Sequence, residues 1–179
     1  MQKKLVAVFM GAVLIMPVVA QAEGSYVKFG VGQSEYKNGI GSENETATSL
    51  AYGFSFDKNF GVEVGYINFG KYKEGDESFS NTIQRQAFYI AGVGSLPVTD
   101  TFSVFAKLGV AANKYENNFV SVGFSESEEK TKTRSMMGLG LAYNFTKEIA
   151  GTLEYQYFGK VGDDKIKASA ITAGIKYNF

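Results

Sequence analysis

The sequence predicts an all-β fold, an eight-stranded antiparallel up-and-down transmembrane β-barrel. Three observations point to it. The chain of 179 residues holds 11 Tyr, 15 Phe and 21 Gly, but only 2 Pro and no Cys, Trp or His. Its last stretch, Ile171 to Phe179, alternates strictly. Ile171, Ala173, Ile175, Tyr177 and Phe179 are apolar or aromatic, and Thr172, Gly174, Lys176 and Asn178 are small or polar. That is a β-strand with one face for hydrocarbon and one for a polar interior. Finally, the chain divides into eight such segments whose connections alternate short and long.

The front of the chain reads as an export signal. Lys3 and Lys4 precede an apolar run from Leu5 to Ala20, and Ala20, Gln21 and Ala22 form an A-x-A cleavage site. The expected organisation is a cleaved signal peptide over 1–22 and an outer-membrane β-barrel domain over 23–179.

The elements follow in order. The first, about Ser25 to Glu35, sets Val27, Phe29 and Val31 against Tyr26, Lys28, Gly30 and Gly32. The second, about Thr46 to Phe56, sets Leu50, Tyr52, Phe54 and Phe56 against Ala51, Gly53 and Ser55. The third, Phe60 to about Lys71, sets Val62, Val64 and Tyr66 against Gly61, Glu63 and Gly65. The fourth, about Thr82 to Leu96, has Ala87, Tyr89, Ala91 and Val93 as its apolar row. Its other face carries Gln84, Gln86, Gly92 and Gly94, but also Phe88 and Ile90, so its alternation is the poorest. The fifth, from Thr101, sets Phe102, Val104, Ala106, Leu108 and Val110 against Ser103, Phe105, Lys107, Gly109 and Ala111. The sixth, about Thr131 to Phe145, sets Met137, Leu139, Leu141, Tyr143 and Phe145 against Gly138, Gly140, Ala142 and Asn144. The seventh, about Glu148 to Gly159, sets Ile149, Leu153, Tyr155 and Tyr157 against Thr152, Glu154 and Gln156. The eighth is the terminal stretch.

Connections two–three, four–five and six–seven are tight, at Asp57–Asn59, Pro97–Asp100 and Thr146–Lys147; the others are longer and charged. Short periplasmic turns and long outer loops are the outer-membrane pattern, which leaves both termini in the periplasm. Closure removes the unpaired edges that hydrocarbon does not tolerate. Tyr52, Phe54, Phe56, Tyr66, Tyr143, Phe145, Tyr155, Tyr157, Tyr177 and Phe179 suit two interfacial girdles.

An eight-stranded lumen is just wide enough for side chains. By parity Lys28, Glu63, Lys107, Glu154 and Lys176 point into it, with Gln156 and Asn178 beside them. Charges in so narrow a space must be paired or hydrated. The expected network joins Glu63 and Glu154 with Lys28, Lys107 and, at its edge, Lys176. It reads either as a structural plug of salt bridges or as the gate of a narrow, low-conductance pore. A formal charge of zero gives no nucleic-acid footprint. No enzyme is expected, because neither the Cys nor the His of hydrolase chemistry is present. No cofactor or metal site is expected either.

Several motifs carry a resemblance. Gly61 to Tyr66 (GVEVGY), Tyr143 to Ala150 (YNFTKEIA), Leu153 to Tyr157 (LEYQY) with Gly162 and Asp163, and Lys107 to Gly109 after the Pro97–Asp100 turn resemble the transmembrane domain of outer membrane protein A. The resemblance covers essentially the whole mature chain. It implies a Gram-negative outer-membrane location and insertion by the β-barrel assembly machinery, which recognises a last strand ending in Phe. Tyr177 and Phe179 would be that assembly signal. In the family, an interior set of two Glu, one Lys and one Arg has been proposed as a gate. Here Glu63 matches one Glu, while the Lys, second Glu and Arg positions fall at about Gly92, Ala142 and Thr152, so the gate is not carried over. The chain is expected to stop at the barrel, like the small stand-alone barrels of the OmpX and Ail type, some of which are adhesins.

Specific function is expected in the loops. The third outer loop carries Phe119, Val120, Val122 and Phe124 before a charged tip at Glu126–Lys130. Phe119, Val122 and Phe124 are the candidate contact for a host or surface ligand, in a hairpin whose edge would accept a partner strand. Lys37, Lys71, Lys73, Lys114, Lys132, Arg134, Lys160, Lys165 and Lys167 gather at the outer end, at the level of lipopolysaccharide phosphates. Outer-membrane lipid and lipopolysaccharide are therefore the expected surroundings, with the barrel as a monomer.

Overall fold

A computed structural model describes residues 24–38, 41–76, 79–121, 124–161 and 166–179, with side chains for 24–35, 44–70, 84–115, 131–159 and 167–179. The eight strands are β1 (Gly24–Asn38), β2 (Gly41–Ser55), β3 (Phe60–Asp76), β4 (Phe79–Pro97), β5 (Phe102–Ser121), β6 (Phe124–Asn144), β7 (Ile149–Val161) and β8 (Ile166–Asn178). Each pairs antiparallel with its sequence neighbours, and β8 returns to β1 to close the barrel. The described residues contain no helix.

The three tight turns are built alike. Phe56, Val98 and Phe145 each donate their amide to the carbonyl four residues on, at 2.9 Å. In the second position of each turn, Asp57, Thr99 or Thr146 accepts on its side chain the amide that opens the next strand. Phe60 donates to Asp57 at 2.7 Å, Phe102 to Thr99 at 3.0 Å and Ile149 to Thr146 at 3.0 Å. A short polar side chain that bonds its own backbone a few residues ahead replaces the ladder bonds that the chain gives up at a reversal.

The faces are inverted relative to a water-soluble protein. Phe29, Leu50, Phe88, Ile90, Leu108, Leu139, Leu153, Ile171 and Ile175 lie outward and exposed, Leu108 at 70% and Leu139 at 65%. Small and charged side chains are inside, with Lys107 and Glu63 at 1% exposure. Aromatic pairs ring the turn end: Phe54–Phe56, Tyr143–Phe145 and Tyr177–Phe179, with centroids 5.2 to 5.6 Å apart. Tyr66 and Phe88 pair at the other end, 4.8 Å apart.

β4 corrects the sequence assignment. Ala87, Tyr89 and Ala91 are buried at 0%, 5% and 2%, whereas Phe88 and Ile90 face outward. The row read as apolar is the inner row, because Ala fits a crowded lumen and Tyr89 has a polar partner there. Gly92, taken as the family's Lys position, therefore faces outward and is exposed.

Two strands carry a bulge at matching places. The β3–β4 register shifts between Asn68 and Lys71, and the β7–β8 register between Tyr157 and Lys160. Gly70 at φ +93° and Gly159 at φ +74° supply the left-handed residue that each bulge requires. β3 and β7 lie four strands apart in the closed order, on opposite walls. The β2–β3 ladder ends at Thr48↔Asn68 and the β6–β7 ladder at Met137↔Tyr157, both at the bulges. Beyond that waist, β4, β5 and β6 stay paired as far as Phe79↔Ser121 and Ser121↔Phe124.

Candidate functional site in the barrel lumen

The lumen is filled in two storeys. The one nearer the turns is ionic. Lys28 on β1, Glu63 on β3, Lys107 on β5 and Glu154 on β7 come from alternate strands and meet at the centre. Lys107 Nζ lies 2.6 Å from Glu63 Oε1 and 2.6 Å from Glu154 Oε1. Lys28 Nζ lies 3.4 Å from Glu63 Oε2 and donates a short hydrogen bond to Glu154 Oε2. Two cations thus alternate with two anions around a closed ring, with side-chain exposures of 6% or less. Removal from water is costly for each charge alone, and is offset only because every charge faces two of opposite sign.

Two phenols complete Glu63. Tyr26 donates to Oε2 at 2.8 Å and Tyr89 to Oε1 at 2.6 Å. Their rings reach the carboxylate by lying flat on the neighbouring strand. A Cβ at Gly53 would sit 2.0 Å from Tyr26 Cζ, and one at Gly65 would sit 2.4 Å from Tyr89 Cζ. Phe105 lies over Gly140 in the same way, 2.2 Å from the position of a Cβ. Its ring face carries Lys28 Nζ at 5.7 Å and Lys107 Nζ at 5.3 Å, an attraction that adds to the ring of charges.

The second storey is aromatic and sits at the bulges. Phe69 and Phe158 meet edge to face across the lumen at 5.1 Å, with exposures of 2% and 0%. Tyr89 also meets Phe158 edge to face, with centroids 6.0 Å apart. Ile67, Met136, Ala47, Ala87, Ala111, Ala168 and Ala170 complete the layer. Each bulged Phe also turns its carbonyl to a buried polar side chain two strands away. Ser34 donates to Phe69 O at 2.7 Å and Asn113 to Phe158 O at 3.4 Å.

Glu63, Glu154, Lys28 and Lys107 are brought together by the fold. Lys176 stands apart from them: its Nζ lies over the Tyr26 ring at 5.1 Å and forms no ion pair among the described residues. Gln156 is buried on the same wall at 1% exposure. Tyr177 and Phe179 are exposed at the turn end, where Phe179 N bonds Ser25 O at 2.9 Å. Val122 lies outside the described residues, and Phe119 and Phe124 are described only as the backbone that ends β5 and opens β6. Phe69 and Phe158 escaped the sequence reading, which sets Tyr26 and Tyr89 on rows but not as partners of Glu63. A signal for Phe69 and Phe158 exists: Phe56, Lys58, Tyr66, Phe69, Gly70 and Lys71 recur, without a gap, as Phe145, Lys147, Tyr155, Phe158, Gly159 and Lys160.

Known proteins share both sequence and shape. The chain matches the OmpA-like transmembrane domain over residues 20–179. Outer membrane protein A of Klebsiella pneumoniae is 25% identical over 154 residues, covering 79% of this chain and 43% of that protein. Outer membrane protein P5 of Haemophilus influenzae is 25% identical over 98% of this chain and 59% of its own length. The chain thus spans less than two-thirds of the length of either relative. Ail, the attachment invasion locus protein of Yersinia pestis, solved in complex with the heparin analogue sucrose octasulfate, superposes with a TM-score of 0.69. It is 22% identical, over 89% of this chain and 100% of that one. Neisserial surface protein A superposes at 0.70 with 14% identity, over 87% and 97%. Those two likenesses speak to the fold, and the sequence match speaks to kinship. A closed barrel with its greasy face outward and its charges locked inside is what that kinship leads one to find, and this chain belongs to the OmpA-like transmembrane domain family of the Gram-negative outer membrane.

Proposed function

We propose that this protein is a sealed, non-conducting barrel that supports the envelope and holds its longer strands above the membrane as a binding surface. One observation carries the reading: the lumen is crossed by two stacked layers, the ionic ring and the Phe69–Phe158 contact. An ion would have to part a closed set of buried charges and then a pair of interlocked rings. The alternative of a narrow pore is disfavoured on that ground, and no catalytic role is proposed. The first 22 residues are the cleaved signal, the turns and both termini lie on the periplasmic side, and the assembly machinery reads Tyr177 and Phe179. Lipid surrounds a monomeric barrel, with lipopolysaccharide at its outer rim.

The binding surface is the sheet of β4, β5 and β6. Among the described residues, the β6–β7 ladder runs to Met137↔Tyr157, and β6 continues beyond it as far as Phe124. A strand that runs on past its ladder offers an edge for an added strand, and Phe119 and Phe124 lie toward the end of that projection. The heparin analogue bound to Ail supports a surface ligand for barrels of this shape.

Planar-bilayer recording tests the seal. No steady current is expected from the folded barrel, and a stable open level would refute it. Binding of expressing cells to host-cell surfaces, with and without residues 119–126, tests the sheet. Equal binding by the deletion variant would remove adhesion through this loop.

A further inference from the structure

The ionic ring closes the lumen but does not fill the space below it. Between the ring and the β2–β3 turn lies a cavity of about 60 Å³, open at the turn end. That is space for a few waters or one small oxyanion. Its wall is rich in donors. Lys28 and Lys107 are occupied by Glu63 and Glu154, but Lys176 lines the cavity without a carboxylate partner among the described residues. The hydroxyls of Ser55, Ser95 and Thr152 also line it, and make no hydrogen bond within the described residues. At the mouth, Lys58 adds a cation. Asp57 adds an anion, already engaged by the amides of Asn59 and Phe60 at 2.7 Å. Around the ring and this cavity, among the described residues, the ammonium groups of Lys28, Lys107 and Lys176 therefore face the carboxylates of Glu63 and Glu154. Low-dielectric walls concentrate the field of the uncompensated charge toward the opening.

An unpaired ammonium beside free hydroxyls, in a space closed on one side, is a donor set for an acceptor-rich anion. We propose that this cavity binds a small oxyanion from the aqueous compartment at the turn end, held by Lys176 with the hydroxyls of Thr152 and Ser55. The site is separate from the outer sheet, so its fate does not depend on the adhesive role.

The test is amide NMR of the barrel refolded in detergent micelles. Sodium phosphate is titrated against sodium chloride at matched ionic strength. Saturable shifts are expected at Ser55, Thr152 and Lys176 with phosphate and not with chloride. Lys176→Met is expected to weaken binding at least tenfold, and Lys176→Arg to retain it. Lys147→Met, on a neighbouring turn, leaves it unchanged. Folding of each variant is verified by heat-modifiable mobility on gels. If Lys176→Met does not fold, Thr152→Val serves in its place, with at least a threefold loss expected. Shifts that rise linearly with phosphate in the wild-type barrel, or a folded variant that binds as tightly as wild type, would overturn the proposal.

Discussion

Replacing Glu63 by Gln tests whether the ionic ring holds the barrel together. Glu63 accepts three hydrogen bonds, from Lys107 at 2.6 Å, Tyr89 at 2.6 Å and Tyr26 at 2.8 Å, and pairs with Lys28 at 3.4 Å. The substitution keeps the shape and removes the charge. Lys28 and Lys107 are then left, both buried, to share Glu154. Breaking one side of a buried ion pair costs about 3–5 kcal/mol, because the remaining charge is stranded. Among the described residues, Glu154 pairs with the two lysines but accepts a hydrogen bond only from Lys28 and from no phenol, so Glu154→Gln is expected to cost less, by about the value of one or two charge-assisted hydrogen bonds, ~1.5–3 kcal/mol each. Removing a cation along with the anion, as in Glu63→Gln with Lys107→Met, restores the balance. It is expected to recover at least ~1 kcal/mol relative to the sum of the single changes. The assay is reversible urea unfolding in lipid vesicles, read by far-ultraviolet circular dichroism and gel mobility, since the chain has no Trp. A Glu63→Gln loss below about 1 kcal/mol, or a Glu154→Gln loss equal to it, would refute the reasoning.

Other outcomes follow from the same geometry. Gly65→Ala pushes a Cβ to 2.4 Å from the Tyr89 ring and is expected to cost about 1–3 kcal/mol by overpacking. Gly94→Ala, with nothing within 4 Å, is expected to stay within ~0.5 kcal/mol. Equal losses in urea unfolding would contradict the ring-on-glycine packing. Phe158→Ala removes a fully buried ring, with an expected loss of about 3–5 kcal/mol and still no steady current in a planar bilayer while the ionic ring is intact. Phe179→Ala, whose side chain is 68% exposed, is expected to leave unfolding of the purified barrel within ~1 kcal/mol while lowering its yield in the outer membrane of cells. A matching loss in both measurements would assign Phe179 to stability instead of assembly.

Much of this fold was legible because a strand's period of two separates the faces cleanly when one side is lipid. Val27, Phe29 and Val31 could only point one way once Lys28 pointed the other. The charged ring was legible for the same reason. Parity places Lys28, Glu63, Lys107 and Glu154 inside, and a lumen of this width forces them together. β4 was illegible because both of its rows are apolar, and the choice between them depends on Tyr89 finding Glu63 on another strand. Lys176 was grouped with the ring on parity alone, which gives the side of the wall but not the height. The bulges were hidden because an extra residue breaks the alternation by which strands are read. The recurrence of Phe-Gly-Lys marks them, yet its meaning depends on β3 and β7 standing opposite each other.

The matched kinks at Gly70 and Gly159 divide the molecule into parts that answer to different pressures. Below them each strand is laddered to both of its neighbours, so insertion of a residue would throw a whole wall out of phase. Above them the β2–β3 and β6–β7 ladders have ended among the described residues, and sequence there can lengthen, shorten or be exchanged while the sealed base remains as it was. Foreign segments grafted beyond Lys71 or Lys160 should therefore be carried to the cell surface by a foundation that does not register the change.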